Sequence, residues 1–387
     1  MKEKLLSRVS TFQDEMKEWM DVMHQNPELN MDTLETAKFI AGKLNSWGYA
    51  VAEGIGGTGI VASMTVGDGE KAIGLRADFD ALPITEDNDL PYKSRNEGRA
   101  HLCGHDAHST MLLGAAKYLA ETRDFNGTVR LIFQPGEETM EGALAMVADG
   151  LFERFPVDAV YGMHNMPGLP LGKFHFREGE TMAAVDNWAI ELTGKGSHGS
   201  MPELSIDPLV CGASLVMALQ TIVSRNVSPW KNSVVNVGAF QSGIAGNAVP
   251  QKAILRLSIR NMEAGLRTMV LDKVRSITKA QAEAFNCGYE IHEGVAGAVL
   301  VNTPENTQWA YKVAQETFGE ENAVYGMHPY MGSEDFAFML QKKAGTYCMM
   351  GNGDTFMVHH PKYVFNQDLL SRGATYWVAL TEAYLSC

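Results

Sequence analysis

Three histidines, a cysteine and an aspartate fall within the eight residues His101-Leu102-Cys103-Gly104-His105-Asp106-Ala107-His108. Thiolate, imidazole and carboxylate side by side can hold a metal ion or arm a nucleophile. An apolar helical run follows, Met111, Leu112, Ala115, Ala116 and Leu119, so the cluster sits on a loop entering a helix and on its first turn. A helix N-terminus carries partial positive charge and lowers a thiol pKa. Cys103 is thereby placed as a thiolate, either nucleophile or metal ligand. The bland alternative is a buried cysteine among unrelated histidines.

Other titratable residues stand where apolar runs end. Ala72-Ile73-Gly74-Leu75 leads to Arg76, Asp78 and Asp80, and Val129 to Phe133 leads through Gln134-Pro135-Gly136 to Glu137 and Glu138. Ala159 to Met163 leads to His164, and Tyr347 to Met350 leads through a glycine-rich turn to His359 and His360. Such a set suits zinc, manganese, cobalt or nickel. Side chains of neighbouring residues diverge, so of Glu137 and Glu138 one binds metal and the other acts on water. A metal that acidifies a water, beside a carboxylate base, makes a hydrolase.

These residues need elements to carry them. In open α/β sheets, sites form beyond the carboxyl ends of the strands. Helical stretches near 104–121 and 140–153 alternate with the strands, which predicts an α/β sheet with helices on both faces. Leu5, Val9, Phe12, Met16, Trp19 and Met23 predict one amphipathic N-terminal helix ended by Asn26-Pro27. Asp32 and Glu35 form a capping-box pattern for a second helix that stops near Gly48. Gly54-Ile55-Gly56-Gly57-Thr58-Gly59 matches a dinucleotide-binding pattern, but a strand and not a helix follows it, so it reads as a turn between strands. From about 185 to 296 the order is strand, helix, strand, strand, helix, strand, the ferredoxin-like arrangement. Three segments follow: a first domain over 1–184, an inserted second domain over 185–296 and the rest of the first domain over 297–387.

Composition narrows the partners. Lys+Arg 32 against Asp+Glu 46 gives 387 residues a net charge of −14, which argues against nucleic acid or an anionic membrane. Bound divalent cations would offset part of it. Cys103, Cys211, Cys287, Cys348 and Cys387 are scattered and odd in number, which fits a reducing compartment. The N-terminus has no signal-peptide core, and no apolar run approaches the length of a membrane span. A cytoplasmic protein is expected.

The motifs Leu75-Arg76-Ala77-Asp78-Phe79-Asp80-Ala81-Leu82-Pro83, His101 to Asp106, Gln134-Pro135-Gly136-Glu137-Glu138, Met163-His164-Asn165, Gly194-Lys195-Gly196-Ser197-His198, Gly332-Ser333-Glu334-Asp335-Phe336 and His359-His360-Pro361 occur in this order. Together they resemble the metal-dependent amidohydrolase branch of the aminoacylase and carboxypeptidase family, which holds hippurate hydrolases and auxin-conjugate hydrolases. The resemblance implies a zinc-peptidase-like α/β/α sandwich with an inserted ferredoxin-like lid. It implies two divalent metal ions (Zn, Mn, Co or Ni) held by bridging Cys103 with His105, Glu138, His164 and His359. Glu137 becomes the general base and later the proton donor, with Asp78 counted in the catalytic set. His198, in its own chain or on a neighbouring subunit, polarises the scissile carbonyl. Asn247 and Arg260 match lid positions that hold the substrate carboxylate. His359 is chosen over His360 because the family pattern leaves one residue between ligand and proline.

The implied reaction is hydrolysis of N-acyl amino acids, small molecules of hippurate or N-acetyl type, by a homo-oligomer, dimer or tetramer. The rivals are a dipeptidase or aminopeptidase of the same fold, a cysteine amidase using Cys103, and a metal-dependent binding protein without activity.

Overall fold

The run Ala72-Ile73-Gly74-Leu75 forms a central strand in the computed structural model, which describes residues 2–386. Met1 and Cys387 lie outside them. The other four cysteines are buried free thiols. The chain divides into two compact units, one of residues up to Gly179 with Val301–His328 and Asp335 onward, the other of Glu180–Leu300 with Pro329–Glu334.

In the first unit, α1 (Lys2–Ser10), α2 (Gln13–Gln25) and α3 (Leu34–Ser46) precede β1 (Ala50–Ile55), β2 (Gly59–Val66) and β3 (Ala72–Asp78). Then come α4 (His105–Thr122), β4 (Gly127–Gln134), α5 (Gly142–Ala148), α6 (Leu151–Arg154), β5 (Ala159–Met166) and β6 (Phe174–Phe176). The expected apolar stripe is buried at Val9, Phe12, Met16, Trp19 and Met23, but it spans two helices, not one. The Thr11 hydroxyl donates to the Arg8 carbonyl at 2.7 Å and closes a turn there, a local bond that competes with the helix. The expected capping box of α3 is replaced by a residue outside it. Glu28 accepts the Glu35 and Thr36 amides at 3.2 and 2.7 Å. The helix expected over 140–153 breaks at Gly150, whose φ of +80° begins α6. The glycine-rich pattern at 54–59 is the turn between antiparallel β1 and β2.

The chain leaves this unit along β7 (Gly179–Met182) and returns along β14 (Leu300–Asn302). Between them lie β8 (Ala184–Thr193), β9 (Ser197–His198), α7 (Pro208–Asn226), β10 (Ser233–Ser242), β11 (Ala248–Val249), β12 (Lys252–Asn261), α8 (Ala264–Ala284) and β13 (Gly288–Ala296). After β14 follow α9 (Pro304–Phe318), β15 (Ala323–Tyr325), α10 (Phe336–Leu340), β16 (Gly345–Gly351) and α11 (Leu370–Tyr384).

The first unit holds an eight-stranded sheet of order β1-β2-β4-β3-β5-β16-β6-β15. Its middle strands β4, β3, β5 and β16 run parallel, so their carboxyl ends share one edge. Their side chains are buried nearly throughout, as expected for parallel strands covered on both faces.

The second unit has a four-stranded antiparallel sheet of order β10-β12-β8-β13, the strand order of a ferredoxin-like domain. Asp207 caps α7 by accepting the Leu209 and Val210 amides. Cys211, Leu215, Leu219 and Ile222 of α7 pack with Leu266, Val270 and Val274 of α8 against this sheet. By length and composition α7 alone among the described helices could cross a membrane, and its buried face instead closes this core. Segment Pro329–Glu334 joins the unit from far along the chain, because Ala183 donates to Tyr330 and Gly332 carbonyls and Arg260 to that of Met331.

Candidate active site

Gly104 sets up the site. It has φ +93° and precedes α4, and a Cβ there would lie 2.4 Å from Asn165 Nδ2. Only glycine fits that position. The sharp turn brings Cys103 and His105 to the edge where β3, β4 and β5 end. His164 comes from within β5, one residue before Asn165, whose Nδ2 donates to the Cys103 carbonyl at 2.7 Å.

Glu137 and Glu138 lie on the loop after β4. Asp80 holds them there, since its two carboxylate oxygens accept the Glu137 amide at 3.0 Å and the Glu138 amide at 3.1 Å. The Asp80 carbonyl also accepts from His105 Nδ1 at 2.9 Å. His359 adopts φ +70°, a left-handed conformation uncommon outside glycine and found where function demands it. Its Nε2 stands 3.4 Å from Glu138 Oε2. His360 turns away and stacks on Phe356, centroids 4.3 Å apart.

These groups fit a metal ion. His105 donates through Nδ1, and its buried Nε2 has no hydrogen-bond partner; neither has buried Glu138 Oε1. Around His105 Nε2 stand Asp78 Oδ2 at 3.9 Å, Glu137 Oε2 at 3.8 Å and Glu138 Oε1 at 3.9 Å. Those gaps are too long for hydrogen bonds, and the one to Glu138 suits two ligand atoms each about 2 Å from a shared cation. Cys103 Sγ and His164 Nε2 are 3.3 Å apart, and His164 Nδ1 contacts the Asn165 carbonyl, so Nε2 offers its lone pair. Cys103, His105 and His164 offer ligand atoms within 4.8 Å of one another, as do Cys103, Glu138 and His359. Two overlapping clusters sharing Cys103 are the donor set of a binuclear divalent site.

Electrostatics agree with that chemistry. Burial, with the nearby Glu138 carboxylate, pushes the Cys103 thiol well above its ordinary range. This corrects the expectation of a thiolate made by the helix terminus, since desolvation outweighs the dipole. Burial likewise raises the Glu138 carboxyl to about 7. A divalent cation would reverse both effects. Burial and His108 hold His164 well below its ordinary pKa, as a neutral imidazole.

Asp78 is fully buried with both oxygens engaged. Burial opposes its charge, but Arg76, His105 and His108 outweigh it and keep the carboxyl well below its usual range. Arg76 Nη1 donates to Oδ2 at 2.7 Å and His108 Nδ1 to Oδ1 at 2.6 Å. Asn165 N–H in turn donates to His108 Nε2 at 3.1 Å. His108, with both nitrogens occupied, therefore backs the site and is not a ligand.

The remaining expected residues lie in the second unit. His198 is exposed in β9, which pairs with β11 so that His198 faces Ala248 and the Asn247 carbonyl accepts the Gly199 amide. His198 Nδ1 is 2.7 Å from Ser200 Oγ. Arg260, half-buried in β12, donates to the Met331 carbonyl at 2.8 Å and Ser333 Oγ at 3.3 Å.

Sequence reasoning missed the supports: Asp80 as the anchor of both glutamates, the Asp78–His108–Asn165 chain, and His24. His24 Nδ1 donates to Asp106 at 2.7 Å and its Nε2 lies 3.3 Å from Glu86. A charged residue inside an apolar run, such as Arg76 between Leu75 and Ala77, was the available sign of a buried ionic network.

Residues 74–383 match the profile described as Peptidase family M20/M25/M40. A hippurate hydrolase of Campylobacter jejuni is 44% identical over 381 residues, 98% of this chain and 99% of that protein. An N-acetyl-L-cysteine deacetylase of Bacillus subtilis is 33% identical over 91% of this chain and 84% of its own length. Among solved structures, a dinuclear metal-binding peptidase of the M20 family from Bacillus subtilis superposes with a TM-score of 0.83 at 28% identity, over 97% of this chain and 99% of that one.

Proposed function

The chain belongs to peptidase family M20/M25/M40, and from that membership we propose that its substrates are N-acyl amino acids of hippurate or N-acetyl type. It is a metal-dependent amidohydrolase that cleaves an amide C–N bond, releasing a carboxylic acid and an amino acid fragment. One observation carries the assignment of roles. Glu138 forms a ligand-distance group with Cys103 and His359, whereas Glu137, 5% exposed, is grouped with His105 and with other carboxylates.

Cys103, His105, Glu138, His164 and His359 would hold two divalent cations, which supply an acidified water and a polarised carbonyl oxygen when bound. Glu137 takes the proton of the attacking water and returns it to the leaving nitrogen. Asp78 and Asp80 act from behind, Asp78 orienting His108 and Asn165, Asp80 the two glutamates. His198 donates a hydrogen bond to the developing oxyanion. Asn247 and Arg260 hold the substrate carboxylate. The stretch 185–296 serves as lid and dimerisation domain between catalytic segments 1–184 and 297–387. Cys103 stands within ligand distance of His105, His164, Glu138 and His359, which favours a metal ligand over a nucleophile.

The working form is a homo-oligomer. Strand β10 is a sheet edge, and beside it α7 exposes Leu209, Val210 and Met217, the last 70% exposed. An open edge next to an apolar face favours a second copy. The free thiols fit a cytoplasmic site of action. The test is chromatographic assay of N-benzoyl, N-acetyl and longer N-acyl amino acids against free dipeptides, with zinc, manganese, cobalt or nickel added. Turnover of the blocked amino acids is expected, and cleavage of free dipeptides alone overturns the substrate assignment.

A further inference from the structure

The loop from Pro135 to Gly142 carries Glu137 and Glu138, yet neither flank of it is held by the metal-ligand set. Its two ends meet on one buried carboxylate, Asp335. At the leading end, Gln134 Nε2 donates to both Asp335 oxygens, at 2.8 and 2.9 Å. At the trailing end, the Ala143 amide donates to Asp335 Oδ2 at 2.8 Å. Arg76 completes the node. Its Nη2 donates to Asp335 Oδ1 at 3.1 Å, its Nε to Gln134 Oε1 at 2.8 Å and its Nη1 to Asp78. Arg76, Gln134 and Asp335 are each 1% exposed or less. An Asp335 oxygen lies within 4.8 Å of a Glu137 carboxylate oxygen.

We propose that Asp335 is a positioning residue for amide hydrolysis, closing the Glu137–Glu138 loop at both ends and thereby fixing where the Glu137 carboxylate stands. This rests on Glu137 acting as the base. The chemistry of the node calls for a carboxylate. Three donors, a guanidinium, an amide nitrogen and a backbone N–H, converge on two oxygens, and only a group that accepts and never donates satisfies them all. The loop has no slack to compensate. A Cβ on Gly142 would fall 1.6 Å from the Pro135 carbonyl oxygen, and Gly136 O already accepts the Glu141 and Gly142 amides. Asp80 pins the loop's middle and Asp335 its ends, so the base stands on a bridge with two independent piers. In Asp335→Asn one oxygen becomes a donor facing donors, and the ends part.

Displacing a reacting group by about 1 Å costs on the order of 10²-fold in rate. Asp335→Asn, assayed with metal added and beside Glu137→Gln, is therefore expected to lose about that factor in kcat, with KM and bound metal unchanged. In metal-free protein, hydrogen exchange over 136–143 is expected to quicken while the rest of the sheet keeps its protection. Gln134→Leu, which removes one donor and leaves the carboxylate, should show the same split more weakly and serves if Asp335→Asn does not fold. Near-native kcat in both variants beside an inactive Glu137→Gln overturns the inference, as does a loss of kcat that tracks loss of metal. If Glu137→Gln itself keeps turnover, the base assignment falls instead, and unchanged exchange over 136–143 then removes the loop closure too.

Discussion

Glu137 and Glu138 are sequence neighbours in different surroundings. Both stand near His105 Nε2, but Glu138 also faces Cys103 and His359. Glu138→Ala is expected to lose metal from one site by elemental analysis. Glu137→Gln should keep both ions and its KM, and lose about 10²–10⁴ in kcat, the usual worth of a placed proton-transfer group. Metal lost from Glu137→Gln but retained by Glu138→Ala would reverse the two roles. The pair was legible at the end of an apolar run, and the family resemblance rather than spacing divided ligand from base. Asp80, 57 and 58 positions away and catching both amides, was not legible. The place of Cys103 before a helix was read locally, whereas the burial that raises its thiol pKa without metal comes from the whole fold.

Among the elements, the end of α2 is tied to the start of α4 by His24. Burial alone would lower the His24 pKa, but its bonds to Asp106 and Glu86 raise it to about 10. An unfolded histidine titrates near 6.5, so the folded pKa is the higher one. The stabilisation is present in full below about pH 6.5 and is lost as pH rises through about 10. Urea unfolding of the native chain and His24→Gln should therefore show a gap that is wide at about pH 6 and narrow near pH 10. Removing one partner of such a buried pair costs roughly 3–5 kcal/mol. Equal gaps at the two pH values would show that His24 is held neutral. Apolar spacing gave away most helices and strands, but not where helices break. The Thr11 turn and the Glu28 cap arise from contacts that spacing does not record.

For the whole molecule, chelation is expected to abolish turnover and lower the melting temperature, with zinc, manganese, cobalt or nickel restoring both. A ligand at a hundred times its Kd stabilises by about 2.7 kcal/mol. Unchanged turnover in verified metal-free protein would contradict metal dependence. Met217→Asp, on the exposed face of α7, should lower the mass measured by light scattering, and an unchanged mass would contradict an oligomer formed through that face. The two-unit plan was legible because the inserted unit has a complete strand order of its own. The order of strands in the larger sheet was not, because it is set by pairings between distant segments. There β16 lies between β5 and β6, although roughly 180 residues of chain separate the end of β5 from the start of β16. On the ribosome, β5 must therefore wait with a bare edge while the whole second unit is made. At about 5–20 residues per second that interval is on the order of ten seconds or more. Through it an open β edge, fit to pair with any passing strand, stays uncovered until the chain's last strand arrives.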